Sequence, residues 1–277
     1  MITQPIVFLG AGNMARALVA SLRQQGIPGG QIQVHAPHAA RRDALQAEFG
    51  IRSCPATPAA LPPGAIVLYA AKPAQAGDIL RAWRTALADA GGLLISVAAG
   101  IRLQTLRDLV GSGPDIVRAM PNTPVQVGAG ATTLCAPPDL GPERRQQAEA
   151  ILGATGLVLW LGNEDTMDAA TALAGSGPAY VLLLLEALED AAVCAGLARE
   201  PARQLALQTI LGTARMAAAS SLSPGTLRHQ VTSPGGTTAA ALAVWEEGLR
   251  PLAHRAIQAA IRRSQELAGA AAGELLP

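Results

Sequence analysis

The chain has 277 residues, and half of them are apolar, so a large hydrophobic core can form. Lysine and arginine number 21 against 20 acidic residues. This balance excludes the strong positive field that is typical of proteins binding nucleic acid or an anionic membrane surface. We therefore expect a small-molecule partner, with no nucleic acid and no membrane.

Cysteine and lysine are scarce, and both limit the chemistry. Cys54, Cys135 and Cys194 lie far apart and are odd in number, which favours reduced, packed thiols over a disulfide framework or a zinc site. Lys72 is the single lysine, so any mechanism that needs a lysine nucleophile must use it. The histidines show no spacing typical of metal ligands, and we expect no metal site.

Neither the first residues of the chain nor its most apolar stretch predicts a membrane segment. Residues 1–5 lead directly into a strand-like run without the features of a secretory signal, which indicates a cytoplasmic protein. The apolar run 181–185 is far shorter than the roughly 20 residues of a membrane span. We expect this helix to be buried in the core and in a subunit interface. The tail 269–277 is expected to fray.

Short apolar runs alternate with helical patterns in the first part of the chain. Strands are predicted at residues 6–9, 32–34, 66–69, 93–97, 115–117, 131–135 and 157–161. Helices are predicted near residues 13–25, 39–48, 74–88 and 102–109 and after Pro142. This alternation predicts an α/β domain over residues 1–163, with a parallel, doubly wound sheet of about eight strands.

The pattern changes after residue 163. Residues 164–270 contain no convincing strand and several long Ala/Leu-rich helical patterns, which are separated by Gly-Ser-Gly-Pro, Ser-Pro-Gly and Ser-Pro-Gly-Gly. We therefore predict an all-α second domain over residues 164–277.

The first predicted strand leads directly into a glycine-rich turn and a helix. The turn has the sequence Gly10-Ala11-Gly12-Asn13-Met14-Ala15, the Gly-x-Gly-x-x-Ala form of the dinucleotide fingerprint. The glycines permit close approach of a pyrophosphate to the free N–H groups of the helix, and the small third residue lets helix and strand pack closely. The alternative is a tight turn without a ligand. We predict a nicotinamide dinucleotide cofactor.

The end of the second strand bears on which dinucleotide binds. Residues 34–38 contain no acid to hold the ribose hydroxyls, and Arg41 and Arg42 precede Asp43. The missing carboxylate with basic groups nearby favours the 2′-phosphate of NADPH, with NADH still possible. The alternative is that both arginines lie on the solvated surface of a helix.

Three further segments carry residues that secondary structure alone does not require: 118–124, 175–180 and 231–238. In the last of them, Ser233 is expected to cap a helix that has Pro234 in its first turn, and the glycines leave backbone N–H groups uncovered. This would be an anion site of carboxylate size beside two hydroxyl groups. The alternative is an ordinary helix start.

Together with Ala70-Ala71-Lys72-Pro73, residues 96–100 and Trp245-Glu246-Glu247, these segments closely resemble the pyrroline-5-carboxylate reductase family over nearly the whole chain. The resemblance implies a Rossmann domain, a helical dimerisation domain that interlocks with a partner subunit, and an active site at their junction. It also implies a homodimer, or a higher oligomer, that reduces L-1-pyrroline-5-carboxylate, a cyclic imino acid, to L-proline with NAD(P)H, the last step of proline biosynthesis.

Carried over by position, the resemblance implies two sets of site residues. The cofactor set is Gly10, Ala11, Gly12, Asn13, Met14, Ala15, His35, Ala70, Ala71, Lys72, Pro73, Val97, Ala98, Ala99 and Asn122. The substrate set is Glu164, Ser233, Gly236 and Thr237, with Thr238 as the catalytic residue. Helix amides of residues 236–238 would hold the substrate carboxylate, and the Thr238 hydroxyl would bond the ring nitrogen. His229 as a general acid is an alternative.

The chain departs from the family pattern at two places. Residues 228–230 are Arg-His-Gln, whereas the family commonly has Lys, Asp and a variable residue at these three positions before the valine of the motif. Ala71 stands where the family frequently has valine. Three other functions are weighed: a β-hydroxyacid dehydrogenase, another cyclic-imine reductase and a non-catalytic NADP-binding protein. The first resembles enzymes that use a lysine on the first interdomain helix, and residues 163–180 contain none.

Overall fold

A computed structural model describes residues 2–275. The strands are β1 Ile6–Leu9, β2 Ile32–His35, β3 Arg52–Cys54, β4 Ile66–Tyr69, β5 Leu93–Ser96, β6 Asp115–Met120, β7 Gly130–Cys135 and β8 Gly156–Trp160. The helices are α1 Asn13–Gln24, α2 Ala39–Phe49, α3 Ala76–Ala90, α4 Leu103–Val110, α5 Pro142–Leu152, α6 Met167–Ala170, α7 Gly177–Cys194, α8 Arg199–Ala218, α9 Pro224–Gln230 and α10 Thr237–Leu275.

The strands form one sheet in the order β3-β2-β1-β4-β5-β6-β7-β8, so the predicted doubly wound α/β fold of eight strands is confirmed. Pairing is parallel except between β6 and β7, where Ala119 lies opposite Leu134 in antiparallel register. The predicted parallel pairing therefore fails only between β6 and β7, and β7 pairs parallel with β8. A short turn, Thr123–Val127, connects β6 to β7 without a crossover helix, and only an antiparallel strand can follow so short a connection.

The sheet divides the core into two layers because successive side chains of a strand point to opposite faces. Ile6 and Phe8 of β1 belong to one buried cluster, which contains α1 residues such as Leu18. Val7 and Leu9 belong to the other cluster, which contains α3 residues such as Trp83. Helices on both faces of the sheet explain why its central strands β1, β4 and β5 are fully buried, mostly apolar runs rather than alternating ones.

Two compact units emerge from the residue contacts: the first comprises Met1–Ser176 and Ala260–Pro277, and the second comprises Gly177–Ala259. These contact-based units do not coincide with the predicted domains 1–163 and 164–277. The domain boundary after residue 163 stays a prediction. Within the described part of the second unit the secondary structure is helical. The helical content predicted for this part of the sequence is confirmed.

The end of the chain is more ordered than expected. Helix α10 continues to Leu275, whose side chain is buried with the α3 face of the core and whose carbonyl accepts a hydrogen bond from Arg81. The frayed tail predicted from residue 269 is therefore wrong as far as 275, because this apolar contact holds the last turn. The remainder of that expectation, residues 276–277, lies outside the described residues.

The most apolar helix is longer and more exposed than predicted. Residues Glu164–Cys194 form a 31-residue helical stretch that, by length and composition alone, could cross a membrane. The expected burial of α7 in a core of its own chain was wrong, since none of its residues is buried. Leu182 and Leu183 are 64% and 65% exposed.

The three cysteines do not share one environment. Cys135 is buried, as predicted, but Cys54 is only half-buried and Cys194 is exposed at the end of α7. The prediction that all three serve packing is therefore correct for Cys135 and wrong for Cys194 in the single chain. All three thiols are free.

Candidate functional site

Loops at the carboxyl ends of the central strands are tied together by backbone hydrogen bonds. The chain crosses between β1 and β4, where the strand order reverses, and such a switch point is where open α/β sheets bind ligands. Gly10 N–H donates to the His35 carbonyl at 2.9 Å, and Ala70 N–H donates to the Leu9 carbonyl at 2.9 Å. The buried Tyr69 hydroxyl donates to the Lys72 carbonyl at 2.7 Å.

The turn after β1 requires glycine for two separate reasons. Gly10 has φ +118°, and a Cβ there would lie 2.7 Å from the carbonyl carbon of Ala70. Gly12 has ordinary backbone geometry, and a Cβ there would meet no atom closer than 3.8 Å. Gly10 is thus needed by the fold itself, whereas Gly12 leaves open space in front of α1.

A cavity of about 770 Å³ opens at this turn. Nine predicted cofactor residues line it: Gly10, Ala11, Gly12, Asn13, Met14, His35, Ala70, Ala71 and Lys72. The N-terminus of α1 faces its glycine turn, and a helix start presents N–H groups that lack partners within the helix. The cavity therefore combines a glycine-lined wall with an anion-binding helix end.

The other predicted cofactor residues do not line this cavity. Ala15 lies in the first turn of α1 and is fully buried, and its small side chain permits close packing of helix and sheet. Pro73 and Ala99 line a second cavity, and Val97, Ala98 and Asn122 line neither of the two. Nine of the fifteen predicted cofactor residues therefore share one cavity, and the cofactor contacts of all fifteen stay predictions.

His35 is held in a fixed environment at the end of β2. Its ring lies edge-on to Trp83 with centroids 4.8 Å apart, and its Nδ1 is 2.9 Å from the Pro55 carbonyl oxygen. Burial lowers the pKa of His35, and the hydrogen bond to Pro55 opposes that shift only in part. The ring therefore lines the cavity as an aromatic wall, and burial disfavours its positively charged form.

The two arginines that follow β2 have different environments. Arg42 turns back and donates to the carbonyl oxygens of Ala36 at 2.8 Å and Pro37 at 3.3 Å, so it braces the loop. Arg41 is exposed and lines the cavity. The surface interpretation fits the exposed Arg41 but not Arg42, and of the two arginines Arg41 is the one available to an anion in the cavity.

Sequence reasoning missed several residues of the wall. Gln75, Ile79 and Trp83 line the cavity from one face of the α3 region, and their spacing of four residues is the signal that could have identified them. Glu48 and Arg16 also line it and form an ion pair at 2.5 Å. These two residues are 32 positions apart in the sequence, which leaves no local pattern to detect.

Glu164, a predicted substrate residue, is engaged inside the first unit. Its Oε1 accepts from Arg118 at 2.7 Å and from the Leu103 N–H at the start of α4 at 2.9 Å. Arg118 is only 4% exposed, so this pair joins β6 to α4 through a buried guanidinium. Burial, and next the Glu164 charge, raise the pKa of the neighbouring Cys135 thiol.

The second cavity, of about 560 Å³, also belongs to the first unit. It is lined by Pro73, Ala74, Ala99, Gly100, Thr171, Ser176, Ala260, Arg263, Ser264, Leu267 and Ala270. Asp168, buried beside it, accepts from the Ser264 hydroxyl at 2.6 Å. This hydrogen bond fixes the last helix against α6 at the edge of the cavity.

In the second unit, the predicted helix start at Ser233 was wrong. Ser233 does not cap the helix, because Gly235 has φ +71° and residues 233–236 form a turn closed by Gly236 N–H on the Ser233 carbonyl at 3.1 Å. Helix α10 begins at Thr237 instead. The predicted cap chemistry occurs at Ser223, whose hydroxyl accepts from Thr226 N–H at 3.2 Å with Pro224 in the first turn of α9.

This turn changes which amides are free. Gly236 N–H is used within the turn, so the amides that open α10 are those of Thr237, Thr238 and the residue after them. Both threonines are exposed in the second unit, and so are Ser233 and His229. Two hydroxyls and unpaired helix amides therefore share one open helix end.

The unusual residue Arg228 has an ion-pair partner in the same unit. It donates to Glu246, which also binds Arg250 at 2.7 Å. Hydrogen bonding from Arg250 lowers the pKa of Glu246. Arg228 thus links α9 to the Trp245-Glu246-Glu247 motif of α10.

Comparisons with known proteins agree on one family. Residues 164–267 match the family described as "Pyrroline-5-carboxylate reductase dimerisation", and residues 5–100 match "NADP oxidoreductase coenzyme F420-dependent". A pyrroline-5-carboxylate reductase of Pseudomonas aeruginosa is 41% identical over 269 residues, which cover 97% of this chain and 98% of that protein.

Solved structures are similar over the same extent. A pyrroline-5-carboxylate reductase from Coxiella burnetii superposes with a TM-score of 0.91 at 40% identity, covering 96% of this chain and 99% of that one. The Plasmodium falciparum pyrroline carboxylate reductase with NADP bound gives 0.83 at 30% identity, covering 97% and 99%. The chain therefore belongs to the pyrroline-5-carboxylate reductase family.

Proposed function

We propose that this protein reduces L-1-pyrroline-5-carboxylate to L-proline with NAD(P)H, as a homodimer in the cytoplasm. The observation that carries the proposal is near-full-length identity to pyrroline-5-carboxylate reductases, together with a glycine-turn cavity of dinucleotide-binding type in the first unit. The β-hydroxyacid dehydrogenase alternative lacks its lysine between residues 163 and 180.

The first cavity fits a dinucleotide on its own chemistry. A Cβ at Gly12 would occupy the space in front of α1, where the helix amides point and where a pyrophosphate would bind. Arg41, exposed at the cavity, supplies a cation for a 2′-phosphate, which favours NADPH over NADH. Residues 10–14, His35, Ala70, Ala71 and Lys72 would hold the cofactor, and when bound the nicotinamide supplies the hydride.

The remaining cofactor residues predicted from the sequence stay part of the proposal in a smaller role. Pro73 and Ala99 line the second cavity beside the loops that follow β4 and β5, and Val97 and Ala98 complete the β5 loop. Ala15 acts from the core by setting the distance between α1 and the sheet.

The second unit contributes the substrate-binding groups. The open end of α10 binds the substrate carboxylate through the amides of Thr237 and Thr238, with the Ser233–Gly236 turn forming its edge. The Thr238 hydroxyl bonds the ring nitrogen. Glu164 is the predicted substrate residue of the first unit, and its carboxylate also supports Arg118.

The chemical demands on the protein are modest. The imine carbon gains a hydride and the ring nitrogen a proton, so the C=N bond becomes a C–N single bond and a secondary amine. A threonine hydroxyl is a weak acid, and an iminium already protonated in water needs no strong one. Thr238 therefore orients the ring nitrogen first, and alignment is the main source of rate.

The homodimer follows from the exposed apolar surface of the second unit. Besides Leu182 and Leu183, residues Leu205 and Val244 are 58% and 68% exposed. Several large apolar side chains exposed on the helices of one unit indicate an interaction site, and a second copy offers the same helices. The match of residues 164–267 to a dimerisation family supports this occupant.

The decisive experiment is a spectrophotometric assay of NADPH oxidation with pyrroline-5-carboxylate, in which proline is identified as the product. We expect oxidation that depends on substrate and is slower with NADH. Absence of turnover by a folded dimer that binds NADPH would leave the non-catalytic NADP-binding alternative.

Replacement of Thr238 tests the catalytic assignment. For Thr238→Ala we expect kcat to fall about 10²-fold, because the hydroxyl that orients the ring nitrogen is lost, with the NADPH Kd nearly unchanged. Thr238→Ser is the matched control and should keep most of the activity. Equal turnover in the alanine variant would remove Thr238 from the mechanism.

A further inference from the structure

Asn122 connects two of the sequence motifs, and both ends of its amide are occupied by the protein. Its Nδ2 donates to the Ala174 carbonyl at 3.0 Å, and its Oδ1 accepts from the Ala131 N–H at 2.9 Å. The residue is 9% exposed. It thus joins the end of β6, the start of β7 and the helical segment before α7.

The Ala174 carbonyl needs this donor because of a proline. Residues Thr171–Gly175 form a π-helical turn, and the backbone stays right-handed helical at Ser176 with φ −86° and ψ −22°. In a continuing α-helix, the donor to the Ala174 carbonyl would be the N–H of residue 178. Residue 178 is proline, which has no N–H. The Asn122 amide supplies the missing hydrogen bond.

The other end of Asn122 completes a strand pair. Backbone pairing of β6 with β7 places Met120 opposite Thr133, and two residues further the same register brings Asn122 opposite Ala131. The ladder stops there, and the Asn122 side chain provides the acceptor for Ala131 N–H. Met120 contacts the same helical segment, because a Cβ at Gly175 would lie 3.0 Å from its methyl group.

The segment held in this way forms part of a cavity wall. Thr171 and Ser176 line the second cavity, together with Pro73 and Ala99. We propose that Asn122 is a positioning residue, whose side-chain amide replaces the backbone N–H that Pro178 lacks and thereby fixes the wall formed by Thr171 and Ser176. This differs from the direct cofactor contact expected from the sequence, and Asn122 does not line the first cavity.

A double-mutant cycle tests whether the Asn122 side-chain amide takes the place of the backbone N–H that Pro178 lacks. Pro178→Ala restores a backbone N–H, so the Ala174 carbonyl no longer depends on Asn122. Asn122→Ala, Pro178→Ala and the double variant are compared with the wild-type dimer by thermal unfolding at one protein concentration. The kcat, the substrate KM and the NADPH Kd are measured in parallel. The unfolding arm is independent of the proposed function, whereas the kinetic arm rests on it.

We expect Asn122→Ala to lower Tm by about 5 °C in the wild-type background and by about half as much in the Pro178→Ala background. The kcat should fall about tenfold in the single variant and recover in the double variant, with the NADPH Kd within about twofold of wild type throughout. Asn163→Ala is the matched control: Asn163 also accepts from a backbone amide, Asp165 N–H at 2.9 Å. Its cost should be the same in both backgrounds.

Equal costs of Asn122→Ala in both backgrounds would overturn the proposal, as would an NADPH Kd that rises in proportion to the loss of kcat. If Asn122→Ala does not fold, Asn122→Asp takes its place, since it keeps an acceptor for Ala131 and removes only the donor. Failure of that variant to fold even in the Pro178→Ala background would likewise contradict the proposal. A wild-type protein without reductase activity would refute the proposed function, but the unfolding cycle would still decide the role of Asn122.

Discussion

The two units of this chain differ in how much of their apolar side chains they bury. In the first unit, the strands of the sheet centre are buried on both faces, and β1 and β4 are four-residue runs without an exposed side chain. In the second unit, α7 has no buried residue although its sequence is more apolar than that of α1. A doubly wound sheet completes its own core, whereas the helices of the second unit leave their apolar side chains exposed in the single chain, where the proposed dimer would cover them.

The largest expected effect is on this partner surface. Replacing both Leu182 and Leu183 by glutamate removes two exposed apolar side chains from the proposed dimer interface and places charges there. We expect the dimer Kd to rise by at least about 10³-fold, which sedimentation velocity would show as a monomer.

Val127→Glu is the control for that experiment, because Val127 is 80% exposed but belongs to the first unit. It should leave the dimer intact. A double-glutamate variant that still sediments as a dimer would show that α7 is not the interface, and the contrast between the units would need another explanation.

The next effect concerns the glycine turn of the first unit. Gly10→Ala forces a positive φ on alanine and places its Cβ 2.7 Å from the Ala70 carbonyl carbon, so we expect a loss of about 3 kcal/mol in the free energy of unfolding. Gly12→Ala meets nothing closer than 3.8 Å and should unfold like wild type. It should instead weaken NADPH binding, since its methyl group lies where the pyrophosphate approaches.

Denaturant titrations and NADPH titrations of the two variants distinguish these roles. If Gly12→Ala destabilised the fold as much as Gly10→Ala, the structural explanation of the two glycines would be incorrect.

The first unit could be predicted well because its signals are local. Apolar runs ended by turn residues locate the strands, and the Gly10 fingerprint marks the switch point before any tertiary contact is known. The signal failed where local preference was weak: β3 is three residues long with none buried, and the antiparallel direction of β7 depends on a turn rather than on its own residues.

The site was harder to predict because its details depend on residues distant in sequence. Ser233 does not take the capping role expected of it, because the positive φ of Gly235 places a turn before α10. A serine cap of the expected kind occurs instead at Ser223, at the start of α9. Asn122 was predicted to contact the cofactor from its sequence motif, yet its side chain hydrogen-bonds to residues 9 and 52 positions away in the sequence. Such pairings have no periodic signature in a single sequence.

A smaller effect is expected from the two arginines after β2. Arg41→Ser should raise the KM for NADPH about tenfold and leave that for NADH unchanged, because Arg41 is an exposed cation of the cavity that follows β2, where a 2′-phosphate would lie. Arg42→Ser removes two hydrogen bonds to the loop and should lower Tm while shifting both KM values together. If the preference for NADPH over NADH is lost in the Arg42 variant instead, the 2′-phosphate contact belongs to Arg42 and its assignment to Arg41 is wrong.

The smallest effect is a pH dependence that originates in the first unit. Burial lowers the pKa of His35 below its ordinary value of 6.5, so the unfolded chain binds a proton more readily than the folded one. The stability that His35 contributes is therefore complete above pH 6.5 and is lost as the pH falls through the folded pKa.

His35→Gln stays neutral and has an amide that can bond the Pro55 carbonyl. Between about pH 7.5 and 5.5, Tm should fall by a few degrees more in the wild type than in this variant, because all the other histidines are shared. Parallel Tm curves would mean that the buried ring between Trp83 and Pro55 accepts its proton as easily as in the unfolded chain.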